Sequence, residues 1–368
     1  MKTLGIFGST GSIGNSALSV FSNNSKSFKL KYLATYSNLK KLKIQQKLYK
    51  PEFICLLNKK YNSRGLLNLD ELLKKNKKKK IDYIVSGIKG YSALFINYKL
   101  LKITKNLLIA NKESIICGGS FFLNHAKRNN CNIVPIDSEH HCIDTFLKLI
   151  KTKKSIKSIY LVASGGPFLN KRIKYNEKIK NVIKHPNWKM GDKISVDSST
   201  FANKVLELFE AKLLFNLKSS QLKIIVEQSS NVHAIIEFNN NIYYSIMHKP
   251  NMKLPISNSM NLSYKVDYDL HDLNLKFTEV DTDKFPIVKL GYNILKNYGH
   301  AGMIAFNVLN DRIVGKFLND KVLYGDIPKI LVKLFKKKNI RTMLNVQLKG
   351  LTDVKKFILK LEEVNIDI

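Results

Sequence analysis

Acidic residues are scarce: 28 Asp and Glu stand against 62 Lys and Arg, a formal net charge of +34 over 368 residues. Such a surplus invites a nucleic-acid partner, because clustered cations displace the counterions of phosphates. Here the lysines are spread along the chain, and only Lys74–Lys80 (KKNKKKK) is dense, between an amphipathic DELLKK and an apolar IDYIVSG. That run reads as a solvated helix end, and no nucleic-acid partner is expected. Cysteines are few. Cys55, Cys117, Cys131 and Cys142 lack CxxC spacing, which argues against a zinc knuckle or redox pair and leaves reduced, buried thiols. No apolar run approaches the ~20 residues of a membrane span, and no basic-then-apolar leader follows Met1, so a cytoplasmic protein with no membrane partner is expected. No internal repeat is present. With 44% apolar residues the chain is nonetheless globular and long enough for two or three domains.

What is present begins with a βαβ pattern. Residues 3–8 read as a short strand, GSTGSIG (Gly8–Gly14) leads into a helical ALSVF, and FKLKYLAT is a second strand. Further strand-like runs at Phe53–Leu57, Ile81–Ser86, Leu107–Ala110 and Asn132–Ile136 alternate with helix-compatible segments. The alternation predicts an α/β fold with a Rossmann-like, doubly wound parallel sheet over residues 1–137. Glycines at 8, 11 and 14 allow backbone N–H groups to approach a pyrophosphate, although a plain βα turn would use them too. Where an acid would grip an NAD ribose, the chain has Thr35, Tyr36, Ser37 and Asn38, then Lys40 and Lys41. The missing carboxylate favours NADP.

Residues 138–261 read as a central α+β domain. It contains KSIYLVASGGPF, LKIIVEQ, and the runs HAIIEF and IYYSIM, which Asn239, Asn240 and Asn241 join as a hairpin. A linker is expected over 262–287 and a helical domain over 288–368. Asp137, Ser138 and Glu139 follow CNIVPI at the carboxyl edge of the first sheet; they suit either a helix cap or a hard divalent cation. With Glu207 as a third oxygen ligand the set fits Mg²⁺ or Mn²⁺. His140 and His141, next to it, are expected to pack rather than ligate.

The most informative segment is HPNWKMGDKISVDSSTFANKVLE, residues 185–207. Serines around Ser198 suit a helix N-terminus that attracts an anion. Asn203 and Lys204 fall in a first helical turn, with Glu207 four residues after Asn203 on the same face. Ser164–Pro167 forms a small-residue loop that is an anion cradle or a simple turn. His185 and Trp188, the chain's single tryptophan, are packing groups or a phosphate donor and an aromatic lid.

Taken in order, GSTGSIG at Gly8, ANKES at Ala110, IDSEH at Ile136, ASGGPF at Ala163 and the 185–207 segment resemble the 1-deoxy-D-xylulose 5-phosphate reductoisomerase family over nearly the whole chain. The resemblance implies a homodimeric, metal-dependent oxidoreductase that rearranges a small phosphorylated sugar and reduces it with NADPH, giving 2-C-methyl-D-erythritol 4-phosphate for isoprenoid synthesis. It implies that Asp137, Glu139 and Glu207 hold Mg²⁺, Mn²⁺ or Co²⁺, and that Ser164, His185, Ser198, Asn203 and Lys204 hold the substrate phosphate. Lys112 and Ser138 match substrate-contacting positions, and Lys112, Glu139 and Glu207 the catalytic set. Trp188 and Met190 match a mobile flap within 182–192. NADPH contacts are implied at Thr10, Gly11, Ser12, Ile13, Ser37, Asn38, Asn111, Glu113 and Gly191. The chain departs from the family pattern at four places: EQSSNVH stands for HPQSxxH, Val205 for a glycine, NVLND (Asn307–Asp311) for NAANE, and Tyr36 and Ser37 for small and basic residues at the ribose end. The altered EQSSNVH keeps a reductase of another phosphorylated sugar as an alternative, and the net charge a basic nucleic-acid-binding protein.

Overall fold

The computed structural model describes residues 1–58, 66–150, 153, 155–188, 190–267, 271 and 273–366. They form two compact units. The first comprises Met1–Ser114, Ser120–Asp144 and Asn251–Asp267; the second comprises Ile115–Gly119, Thr145–Pro250 and the described residues of 268–368. This is not the division at residues 137, 261 and 287 that the sequence pattern predicts. The chain returns to the first unit through the helix Lys253–Ser259, whose Ile256 and the following Met260 join that unit's core. The C-terminal helices belong to the second unit. Pro286–Asn297 and Gly299–Leu318 pack on Ala202–Phe215 within the second unit.

In the first unit, β1 (Lys2–Phe7), β2 (Phe28–Thr35), β3 (Phe53–Leu56), β4 (Ile81–Ser86), β5 (Thr104–Ile109) and β6 (Asn132–Pro135) form a wholly parallel sheet in the order β3-β2-β1-β4-β5-β6. The strand order reverses at β1/β4, which opens a ligand crevice at the carboxyl ends of these strands. Leu4, Ile6, Leu18, Phe21, Leu33, Val85 and Leu108 fill the core, each contributing about 1.5–3 kcal/mol on burial. Two glycines make the turn after β1 possible. Gly8 has φ +77°, and a Cβ on Gly14 would lie 2.3 Å from the Gly8 carbonyl oxygen.

The second unit holds a mixed sheet of β7 (Ile156–Ala163), β8 (Leu222–Val226), β9 (Val232–Phe238) and β10 (Tyr243–Met247) in the order β10-β9-β7-β8. β8 runs parallel to β7, and β9 and β10 form the expected antiparallel hairpin, with Asn241 at φ +61°. Between β7 and β8 lie the helices Asp192–Ser199 and Ala202–Phe215. Val205 is fully buried and faces Gly291 of the Pro286–Asn297 helix, where an added Cβ would sit 2.6 Å from Val205 Cγ1. The bulk of Val205 is thus accommodated by a missing side chain on the facing helix.

Three expectations about the surface meet the structure here. The helix Leu69–Lys75 ends at Asn76, the buried third residue of the lysine run, which donates to Tyr32 Oη and Leu72 O at 2.7 Å and accepts from Lys31 Nζ at 2.8 Å. All four cysteines are buried and outside any disulfide, with burial pushing the Cys131 thiol up to about 11 and Cys55 to about 12. Among the described residues, no helix is long and apolar enough to cross a membrane.

Candidate active site

In the first unit the turn Gly8–Gly11 delivers the chain into the helix Ser12–Asn23. No side chain caps this helix and its first turn carries no acid, so its N-terminal N–H groups suit an anion. The loop is held from behind. Ser9 and Gln45 exchange two hydrogen bonds of 2.8 and 2.9 Å, Lys41 Nζ donates to Thr10 O at 2.9 Å, and the Thr10 and Thr35 hydroxyls meet at 2.7 Å. Ile13 turns its side chain into the core, so what it can offer a ligand is its backbone. Ser37 is exposed, while Asn38 caps the helix Leu39–Tyr49 by accepting from Lys41 N. Lys41 serves here as a brace for the loop.

Asn111 caps the helix Lys112–Arg128, accepting from Ser114 N at 2.9 Å and donating to Glu113 Oε2 at 2.7 Å. The buried Lys112 lies 2.6 Å from Asp137 Oδ2. Ser138 opens the helix Ser138–Leu149, and its hydroxyl donates to Glu139 Oε2 at 2.6 Å. Asp137 O accepts from His141 N at 2.8 Å, so the aspartate does precede a helix, as the cap reading required. His140 and His141 are buried.

The second unit gathers the residues expected around a phosphate. Ser164 follows β7, in a loop where Gly165 and Gly166 have φ +87° and +65°. His185 Nδ1 accepts from the backbone N–H groups of Asn187 and Trp188, both at 3.1 Å. The proton of the neutral ring is therefore on Nε2, which donates to Ser164 Oγ at 3.0 Å. Burial, and then the Lys204 ammonium, lower the His185 pKa to about 4. Lys204 Nζ donates to Val162 O at 2.8 Å and lies 2.6 Å from Glu207 Oε2, while Asn203 Nδ2 donates to Glu207 Oε1. Glu207 is 1% exposed, a buried carboxylate whose charge Lys204 balances.

Ser198 is placed otherwise than predicted. It lies in the last turn of Asp192–Ser199, not at a helix start. Gly191 begins that helix, and Ser195, Ser199 and Thr200 spend their hydroxyls on carbonyls one turn back. The chain then turns at Phe201 (φ 64°), so the uncapped N-terminus belongs to Ala202–Phe215 and to Asn203 and Lys204. Ser198 still joins the group, because Gly166 packs against it so closely that a Cβ would stand 3.0 Å from Ser198 O. Met190 is half-buried. A cavity of about 690 Å³ in this unit, lined by Leu169, Lys171, Lys284, Phe285 and Tyr324, shares only Thr200 with residues 185–207.

Three family descriptions match the chain: 1-deoxy-D-xylulose 5-phosphate reductoisomerase over residues 4–119, its C-terminal domain over 133–215, and a DXP reductoisomerase C-terminal domain over 247–356. The 1-deoxy-D-xylulose 5-phosphate reductoisomerase of Pelagibacter ubique is 37% identical over 361 residues, covering 91% of each chain. The chain belongs to the 1-deoxy-D-xylulose 5-phosphate reductoisomerase family. The reductoisomerase of Ehrlichia canis is 36% identical over 353 residues, 90% of each chain. A crystal structure of DOX-P reductoisomerase in complex with NADPH, fosmidomycin and magnesium is similar at a TM-score of 0.90 and 31% identity, covering 99% of this chain and 97% of that one.

Against the reductoisomerase pattern, the altered strings find local partners. Glu227 is buried and accepts from Ser229 N at 2.8 Å and from Ser229 Oγ at 2.7 Å. Gln228 accepts from Asn170 through Oε1 at 3.0 Å and from Asn187 through its backbone oxygen at 2.8 Å. Asp311 lies 3.6 Å from Lys193, which also meets the buried Asp197 at 2.8 Å. Sequence reasoning missed Asn187, Asp197 and Phe201; the only signal was position, since Asn187 adjoins Trp188 and Asp197 adjoins Ser198.

Proposed function

We propose that this reductoisomerase rearranges 1-deoxy-D-xylulose 5-phosphate and reduces the product with NADPH, forming 2-C-methyl-D-erythritol 4-phosphate for isoprenoid synthesis. The observation that carries the assignment is the second unit's convergence of Ser164, His185 and Lys204 beside Glu207, a phosphate cradle next to a metal-seeking carboxylate. A neutral His185 carries one N–H beside Ser164, Lys204 brings an ammonium, and Asn203 and Lys204 stand in the first turn of the Ala202–Phe215 helix, where the helix dipole favours an anion. Holding the phosphate far from the reacting carbons supplies binding energy for orientation and for closing the loop of Trp188 and Met190 over the substrate. The dinucleotide pyrophosphate belongs on the N-terminus at Thr10, Gly11, Ser12 and Ile13, with the phosphorylated ribose near Ser37 and Asn38 and the nicotinamide near Asn111, Glu113 and Gly191.

Asp137, Glu139 and Glu207 would hold the divalent ion. Their fit rests on the donor set, carboxylate oxygens of the kind a hard divalent ion takes, with Asp137 met by Lys112 and Glu207 by Lys204 at 2.6 Å in the structure. Bound Mg²⁺, Mn²⁺ or Co²⁺ would polarise substrate oxygens as a Lewis acid. Lys112 holds a proton 2.6 Å from Asp137, and Ser138 orients Glu139. A homodimer is part of the proposal: β10 is an edge strand with Tyr243 and Tyr244 exposed, which suits a second copy. So is a cytoplasmic location, which buried thiols outside any disulfide support.

Purified protein given the pentulose phosphate, Mg²⁺ and NADPH should oxidise the cofactor, and fosmidomycin should inhibit it. Glu207→Gln should lower the rate by about a hundredfold or more. Full activity in that variant would sink the metal assignment, and turnover of only a different sugar phosphate would favour the alternative reductase.

A further inference from the structure

The register between β9 and β10 shifts between Ile246 and Met247, where Ile246 pairs with Ala234 but Met247 pairs with Val232. His233 is the residue this irregularity leaves over, and bulges of this kind re-aim side chains. Its ring stacks on His248 at 3.9 Å between centroids and 26° between planes. The pair is fixed by the backbone, with His233 Nε2 3.1 Å from His248 O and His248 N donating to Asn231 O at 3.0 Å. On its other side His233 meets Trp188 edge to face, with centroids 6.2 Å apart at 67°. The same loop is tied one residue earlier, where Asn187 Nδ2 donates to Gln228 O and Ser230 Oγ at 2.8 and 2.9 Å.

We propose that His248 is a positioning residue: stacked on His233, it forms the seat against which Trp188 rests and so sets where the loop carrying His185 waits before substrate binds. The inference rests on reading Trp188 as part of a flap. A loop that must cover the substrate and release it needs a rest position that is specific yet weak. One edge-to-face contact and one side-chain amide provide that, whereas a buried ion pair would hold the loop too firmly. Nδ1 of His185 accepts from Trp188 N, so displacement of the tryptophan backbone is felt at the ring that faces Ser164.

Because Trp188 is the only tryptophan, the intrinsic fluorescence of the full-length enzyme reports the seat directly. In His248→Ala the emission should shift to longer wavelength and acrylamide quenching should rise about twofold, while KM for the pentulose phosphate rises about threefold and kcat changes less. His248→Phe keeps a ring and should restore all three quantities; circular dichroism establishes that both variants fold. Unchanged emission and quenching in a folded His248→Ala, or a His248→Phe variant that behaves as His248→Ala does, would overturn the seat. A fluorescence change with KM unaltered in both His248→Ala and Trp188→Ala would leave the seat standing and overturn the flap reading instead.

Discussion

His185 illustrates how one imidazole is kept neutral beside a cation. Both acceptor bonds to Nδ1 would be lost if that nitrogen took a proton, and burial together with Lys204 opposes the charge as well. With a folded-state pKa of about 4 against the ordinary 6.5, the unfolded chain binds a proton between those values and the folded chain does not. His185 therefore leaves stability unaffected above pH 6.5 and subtracts from it as pH falls toward 4. Urea midpoints measured at neutral pH and near pH 4 should fall less in His185→Gln than in the unaltered chain; equal falls would refute the assignment. The histidine was legible in the sequence only as a candidate donor, because its tautomer depends on two backbone N–H groups that a loop conformation brings to it.

Helix against helix, the pair Val205 and Gly291 decides how Ala202–Phe215 carries Asn203, Lys204 and Glu207. A methyl on Gly291 would meet Val205 Cγ1 at 2.6 Å, so Gly291→Ala should cost about 1–3 kcal/mol by overpacking, less about 1 kcal/mol gained in helix propensity. Val205→Ala should cost stability by leaving a void. Val205→Ala with Gly291→Ala should then cost less than the sum of the two, a coupling of about 0.5 kcal/mol or more in denaturation midpoints. Strict additivity would show that the two side chains do not share a space. Sequence comparison marked Val205 as an irregularity, but the compensating glycine lies 86 residues away and had no local signature.

For the whole molecule the edge strand β10 matters most. Glu237 on the neighbouring β9 is held at about 2, chiefly by Lys157 and also by the hydroxyls of Tyr160 and Tyr243. Tyr243→Lys keeps an ionic partner for Glu237 and should leave the sheet intact, yet a lysine on an exposed edge disfavours pairing with another strand. Sedimentation should give the unaltered protein at twice the monomer mass and the variant largely at the monomer mass. A monomeric unaltered protein would refute the homodimer.

The sequence by itself determined the alternation of strands and helices, the glycine turn after β1, the asparagine hairpin and the identity of the charged side chains, since each rests on local periodicity or on a backbone angle that few residues tolerate. Tertiary structure alone decided the partition into units, because the core claims Ile256 and Met260 by packing rather than by chain order. It likewise decided that Ser198 ends a helix and that Lys41 braces a loop, as well as the meeting of Trp188, His233 and His248 across a register shift. These are contacts between residues distant in the chain, and they depend on which surfaces pack together, which no local pattern encodes.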